Sequence, residues 1–131
     1  MTSPASGATL DDLLGFELTE LGAERALGRV VVTERLLQPL GMVHGGVYAA
    51  LAESLVSAAT HQAVAPDGFA ALGMSNVTSF FRPVTAGTVT AKATRLHRGR
   101  TTWVWDIQLT DDTGRVCAVS RVTVAVRRLD G

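Results

Sequence analysis

A histidine, two glycines and, eight residues past the first glycine, a carboxylate form the part of this 131-residue sequence best equipped for chemistry: His44-Gly45-Gly46, then Glu53. Glycines in the first turn of a helix leave its unpaired backbone N–H groups open to a ligand. Those groups lie at the positive end of the helix dipole and can hold a carbonyl oxygen as it becomes an oxyanion. Inside a helix each glycine costs about 1 kcal/mol relative to alanine. The pair therefore marks either a helix start open to a ligand or a loop that must turn tightly, and both readings stand on the residues alone. A carboxylate such as Glu53 can attack a carbonyl or drive a water onto it. The plainer reading is a structural acid paired with an arginine such as Arg82.

The elements that must position these groups follow from periodicity. Val47, Leu51 and Leu55 recur every four residues with Tyr48, Ala58 and Ala59 beside them, which predicts one long helix from Gly45 to about Ala63 with that face in a core. Gly45, Ala49, Glu53 and Ser57 form a second row, small residues around the one charge on the helix. Upstream, Thr9 caps a short acidic turn at 11–14, and 16–21 and 25–33 read as two strands joined at Gly22-Ala23. Residues 35–43, with Pro39 and Gly41, form a loop. Downstream, 70–81, 87–96, 101–109 and 116–127 read as strands, the last with Val116, Ala118, Ser120, Val122, Val124 and Val126 on one face. Two strands, a long helix and four strands suggest an α+β domain, an antiparallel sheet wrapped around one helix.

Helix geometry adds a constraint. At 1.5 Å per residue, Gly45 and Glu53 are separated by roughly 12 Å, whereas an acid must lie within about 3 to 4 Å of the atoms it acts on. One helix cannot present both groups to the same carbonyl. Two antiparallel copies across a two-fold axis can, and this predicts an obligate homodimer with two shared sites.

Composition bounds the rest. The length fits one domain over 1–131, with residues 1–8 small, polar and expected to be disordered. Twelve basic residues balance twelve acidic ones, so the basic excess of a nucleic-acid binder is missing. No apolar run approaches the roughly 20 residues of a membrane span and the N-terminus has no leader pattern, which reads as cytoplasmic, with no membrane partner. Cys117 is the single cysteine; His61 and His97 sit in no ligand spacing, so no metal and no cofactor are expected. Trp103 and Trp105 are expected in sheet packing, and Met74, Phe80 and Phe81 in the core with Tyr48 rather than around a ligand.

Gln38-Pro39-Leu40-Gly41-Met42-Val43-His44-Gly45-Gly46, followed by Leu51-Ala52-Glu53-Ser54 and Ser57, resembles the active-site segment of hot-dog-fold acyl-CoA thioesterases. Within them it is most similar to the Glu-type 4-hydroxybenzoyl-CoA and 1,4-dihydroxy-2-naphthoyl-CoA thioesterases. The phenylacetate-pathway enzymes, with Asp at the position of Glu53, are more distant. The resemblance covers about residues 13–127. It implies that the Gly45 N–H polarises the thioester carbonyl while Glu53 of the partner chain acts as nucleophile or general base. Gln38 would orient the carbonyl or the water, Ser57 would hydrogen-bond the carboxylate or the water, and His44 would contact the thioester or the acyl hydroxyl, unless it is a structural histidine of the loop. Ser57 departs from the Thr found in part of the family. Arg82 and the Gly99-Arg100-Thr101-Thr102 turn would bind CoA. The family also implies a homotetramer of two dimers. Other readings are a broad-specificity acyl-CoA or acyl-carrier-protein thioesterase, a hot-dog dehydratase, or a non-catalytic acyl-CoA-binding protein.

Overall fold

The computed structural model describes residues 9–130; the N-terminal stretch 1–8, read above as disordered, lies outside the described residues. Helix α1 (Leu10–Leu14) is capped by Thr9, whose hydroxyl oxygen accepts the Asp12 N–H, and ends at Gly15 in the left-handed region. Strands β1 (Phe16–Leu21) and β2 (Arg25–Val31) form the expected hairpin. A short loop with one 3-10 turn (Glu34–Leu36) leads to α2 (Gly45–Val64), and β3 (Phe69–Phe80), β4 (Thr88–Arg98), β5 (Thr102–Thr110) and β6 (Val116–Arg128) complete the chain. All six strands join one antiparallel sheet in the order β1-β2-β4-β5-β6-β3.

The sheet curls around α2 because α2 is apolar on the face it turns inward. Val47, Leu51, Leu55 and Ala59 are buried there against Trp105, Ile107, Leu109, Val122 and Val124. Each fully buried Leu or Val contributes about 1.5–3 kcal/mol from the area it removes from water. A polar seam in this core is satisfied: the Trp105 Nε1–H donates to the Thr60 hydroxyl at 3.0 Å, and that hydroxyl donates to the Val56 carbonyl at 2.6 Å. Trp103 is also buried, with the Arg95 and Arg98 guanidinium groups 5.0 and 4.7 Å from its ring centre.

Two departures from strict alternation matter. In β6, Leu109 pairs with Ala118 but Thr110 pairs with Val116, so Cys117 is an extra residue in a bulge and is buried together with its neighbour Ala118. In β3, Gly73 pairs with Val124 and Ser75 with Thr123, which makes Met74 the extra residue. That bulge keeps Gly73, Asn76, Thr78 and Phe80 on the side of β3 facing α2, opposite Val124, Val122, Ser120 and Ala118. The expectation that Met74, Phe80 and Phe81 are core residues is corrected here. All three are largely exposed: Met74 and Phe80 lie on β3, an edge strand with no neighbour on its outer side among the described residues, and Phe81 lies just past its end.

Candidate functional site

The helix start is built by the loop before it. Leu37 and Val43 form an isolated bridge, the Gln38 N–H donates to the Met42 carbonyl, and Gly41 turns in the left-handed region. The Gln38 side-chain oxygen takes the Leu40 N–H, so this amide is held inside its own loop. His44 is the N-cap of α2, and its Nδ1 accepts the Gly46 N–H at 2.8 Å. The two glycines are thereby made unequal. Gly46 is capped from within, while the Gly45 N–H has no acceptor among the described residues. The Phe80 ring lies on Gly45 so closely that a Cβ there would come 2.7 Å from its Cζ, so a side chain at this position must push the ring aside.

Around Gly45 opens a hollow of about 450 Å³ lined by Gln38, Met42, Tyr48, Phe80, Phe81 and Arg82, among others. Its floor is Tyr48, whose ring centre is 6.0 Å from that of Phe80. The Tyr48 hydroxyl is buried with no hydrogen-bond partner, and burial, then the Cys117 thiol beside it, pushes its pKa up to about 12. The thiol of Cys117 is itself pushed up by burial, which leaves it a poor nucleophile.

Glu53 lies two turns along α2 in a separate hollow of about 500 Å³, bordered by Ala49, Ala50, Ser54, Asn76, Thr78 and, again, Phe80. It is exposed and forms no ion pair with any described residue, so the plainer reading of a structural acid paired with Arg82 finds no support. Among the described residues its one side-chain hydrogen bond comes from Asn76 Nδ2 at 3.4 Å. Gly73 lies beneath it, where a Cβ would stand 3.1 Å from the carboxyl carbon. One turn beyond, the Ser57 hydroxyl is buried without a partner.

Gly99, Arg100 and Thr101 line a third hollow of about 570 Å³ with Val64, Asp67, Phe69 and Trp103, and Thr102 closes the turn by accepting the Gly99 N–H on its carbonyl. This hollow is at the C-terminal end of α2. Arg82 is at the other end, beside Gly45, about 28 Å away along a 20-residue helix. Within one chain, then, Gln38, His44, Gly45 and Arg82 come together; Glu53 with Ser57 stands apart; and the Gly99–Thr102 turn is remote from both. Among the described residues no His, Cys, Asp and Glu cluster could hold a metal, and no helix is long and apolar enough to cross a membrane.

Asn76, Thr78 and Ser120 escaped the sequence reading. The available signal was weak: Asn is disfavoured in strands, so Asn76 and Thr78, two residues apart in an otherwise apolar and small run, marked a polar spot on one face.

Known proteins resemble this chain over most of its length. Residues 40–118 match the thioesterase superfamily. Rv1847 of Mycobacterium tuberculosis is 41% identical over 128 residues, covering 92% of this chain and 91% of that one. The 1,4-dihydroxy-2-naphthoyl-CoA hydrolase of Listeria monocytogenes is 34% identical, covering 91% and 96%. The crystal structure of a mutant of thioesterase PA1618 from Pseudomonas aeruginosa superposes with a TM-score of 0.89 at 35% identity, over 95% of this chain and 89% of that one.

Proposed function

This chain belongs to the thioesterase superfamily and has its hot-dog fold, and from that premise we propose that it hydrolyses an aromatic acyl-CoA as a homodimer with two shared sites. The observation that carries the proposal is Glu53. It is an exposed carboxylate with no ion pair among the described residues, resting against β3 at the edge of a hollow, on a helix whose first N–H has no acceptor among them. In the reaction, an oxygen adds to the thioester carbon, the C–S bond breaks, and water supplies the hydroxyl of the free acid and the proton of the CoA thiol. Glu53 attacks directly, forming an anhydride that water opens, or takes the proton from the attacking water; the same carboxylate serves both routes. The Gly45 N–H of the other subunit would hold the carbonyl oxygen, with Gln38, His44 and Ser57 around it.

The dimer is supported by the edge strand. β3 leaves a row of backbone groups unpaired on its outer side and carries exposed Leu72, Met74, Val77 and Phe80, an edge that invites a second strand. Antiparallel pairing of two β3 strands about a point near Asn76 and Val77 would run the helices in opposite directions. Glu53 of one subunit would then approach Gly45 of the other, and the Gly99–Thr102 turn would approach Arg82. The separated pieces of the site become neighbours by one operation. Arg82 and Arg100 would meet the CoA phosphates. Tyr48, Phe80 and Phe81 favour a flat aromatic acyl group over a straight chain. The proposal takes the chain as one domain acting in the cytoplasm, two dimers forming a tetramer.

The test is release of CoA thiol, read with a thiol-reactive dye, from 4-hydroxybenzoyl-, 1,4-dihydroxy-2-naphthoyl-, phenylacetyl- and straight-chain acyl-CoAs. Fast turnover of an aryl-CoA by the wild-type protein and a loss of several orders of magnitude in Glu53→Ala are expected. Equal rates in the two proteins would overturn the role of Glu53, and a preference for straight chains would overturn the aromatic substrate.

A further inference from the structure

We propose that Asn76 is a positioning residue for Glu53, locked in its working orientation by a chain of hydroxyls through Thr78 and Ser120. This rests on the reading of Glu53 as the reacting carboxylate.

The chain runs inward from the carboxylate. Asn76 Nδ2 donates to the Ala49 carbonyl at 2.9 Å and to Glu53 Oε1 at 3.4 Å. Its Oδ1 accepts the Thr78 hydroxyl at 2.7 Å. Thr78 has one proton and has spent it there, so the buried Ser120 hydroxyl, 2.8 Å away, must be the donor to Thr78. Every donor in the series therefore points the same way, from the sheet toward α2, and the last N–H ends on the carboxylate.

The amide cannot turn over. A flip would set Oδ1 against the Ala49 carbonyl and the Glu53 carboxylate, with oxygen acceptors facing one another and no proton between them. Anchoring the amide between sheet and helix needs only one N–H, given to Ala49 of α2, and the carbonyl oxygen, which accepts from Thr78. The second N–H is left over and is the one aimed at Glu53.

Glu53 needs such a partner. It has three side-chain torsions to fix, no ion pair, and no other side-chain hydrogen bond among the described residues. Gly73 lets the carboxyl group lie flat on the strand, and Asn76 holds its one end. At 3.4 Å the contact is long, and it has room to tighten when the reacting atoms are in place. Because a reacting group displaced by about 1 Å loses on the order of 100-fold in rate, a residue that only aims the carboxylate should act on kcat and leave KM alone.

The experiment measures kcat, KM and thermal midpoint for Asn76→Leu, Thr78→Val, Thr78→Ser, Glu53→Ala and the Glu53→Ala/Asn76→Leu double variant. The substrate is whichever acyl-CoA of the panel above the wild-type protein turns over fastest. Asn76→Leu is expected to lower kcat by roughly 10- to 100-fold, with KM within about twofold, and to cause no further loss once Glu53 is gone. Thr78→Val should lower kcat by about 3- to 10-fold, since the amide loses its anchor but keeps its donor, and Thr78→Ser should restore it. Wild-type kcat in Asn76→Leu, or the same fold loss with and without Glu53, overturns the proposal while leaving Glu53 its role. Wild-type activity in Glu53→Ala, or no turnover of any panel member, overturns the reading of Glu53 and this inference with it. If the leucine variant does not fold, the contrast between Thr78→Val and Thr78→Ser decides: equal kcat in the two overturns the proposal.

Discussion

Replacing Gly45 with alanine tests the helix start most directly, because the consequences for stability and for activity part company. The new Cβ would meet Phe80 Cζ at 2.7 Å, Cε1 at 3.0 Å and Cε2 at 3.2 Å. Carbon atoms rest at about 3.5–4.0 Å, so the ring edge must retreat by roughly 1 Å. Phe80 is 56% exposed, which leaves its ring room to swing outward. The displacement is therefore cheap, and alanine returns part of the roughly 1 kcal/mol that glycine costs a helix. The folded state should be as stable as wild type within about 1 kcal/mol, or a few degrees in thermal midpoint. Activity should respond otherwise. The ring borders both the hollow at Gly45 and the one at Glu53, and a 1 Å shift of a wall that orients the acyl group is worth on the order of 100-fold in kcat/KM. Calorimetry and the thiol-release assay measure the two effects on the same preparations. Removing the ring should remove the penalty, so Gly45→Ala/Phe80→Ala should lie within about threefold of Phe80→Ala alone, a coupling that only contacting residues show. If the double variant keeps the full loss of Gly45→Ala, the methyl group itself obstructs the N–H and the reasoning through Phe80 is wrong.

Three further outcomes are expected. Val77→Lys places a charge on the outward side of the β3 edge and should convert the proposed dimer to monomers in sedimentation velocity, with activity lost in proportion; an intact dimer would move the interface elsewhere. The Tyr48 hydroxyl, pushed from 10.0 to about 12, keeps its proton longer in the folded protein than in the unfolded chain. Its contribution to stability is thus complete below pH 10 and drains away between about 10 and 12. Tyr48→Phe should flatten that part of a denaturant-midpoint against pH curve and, by removing a buried hydroxyl without a partner, should not destabilise at neutral pH. Thr60→Val strips the buried Trp105 Nε1–H of its acceptor and should cost about 1–3 kcal/mol in urea unfolding; a neutral result would mean that the indole finds another acceptor.

The helix at Gly45–Val64 was legible because its apolar residues recur every three or four positions, and the strands because theirs alternate. What alternation could not report was where it slips. Cys117 and Met74 are bulged, and a bulge depends on the partner strand rather than on the residue that occupies it. Edge position was equally hidden. Phe80 and Met74 read as core residues because large apolar side chains usually are, yet the sheet order leaves β3 outermost. At the site, Gly45, His44 and Glu53 stood out through rarity in their context: glycines in a helix, and one charge on an apolar rod. Asn76 and Ser120 did not, because their significance lies in contacts across 27 and 42 positions, Asn76 to Ala49 and Ser120 to Thr78.

The bulge at Met74 also sets how this segment can change length. Because Met74 is the surplus residue, deleting it would restore an unbroken ladder in which Gly73 and Asn76 still face the helix. Deleting one residue between Asn76 and Phe80 would instead turn everything on one side of the cut inside out, carrying Thr78 or Phe80 to the opposite face. Insertions and deletions among chains of this kind should therefore gather at position 74 and avoid the next six. An alignment that opens a gap within those six misplaces the inward face of the strand.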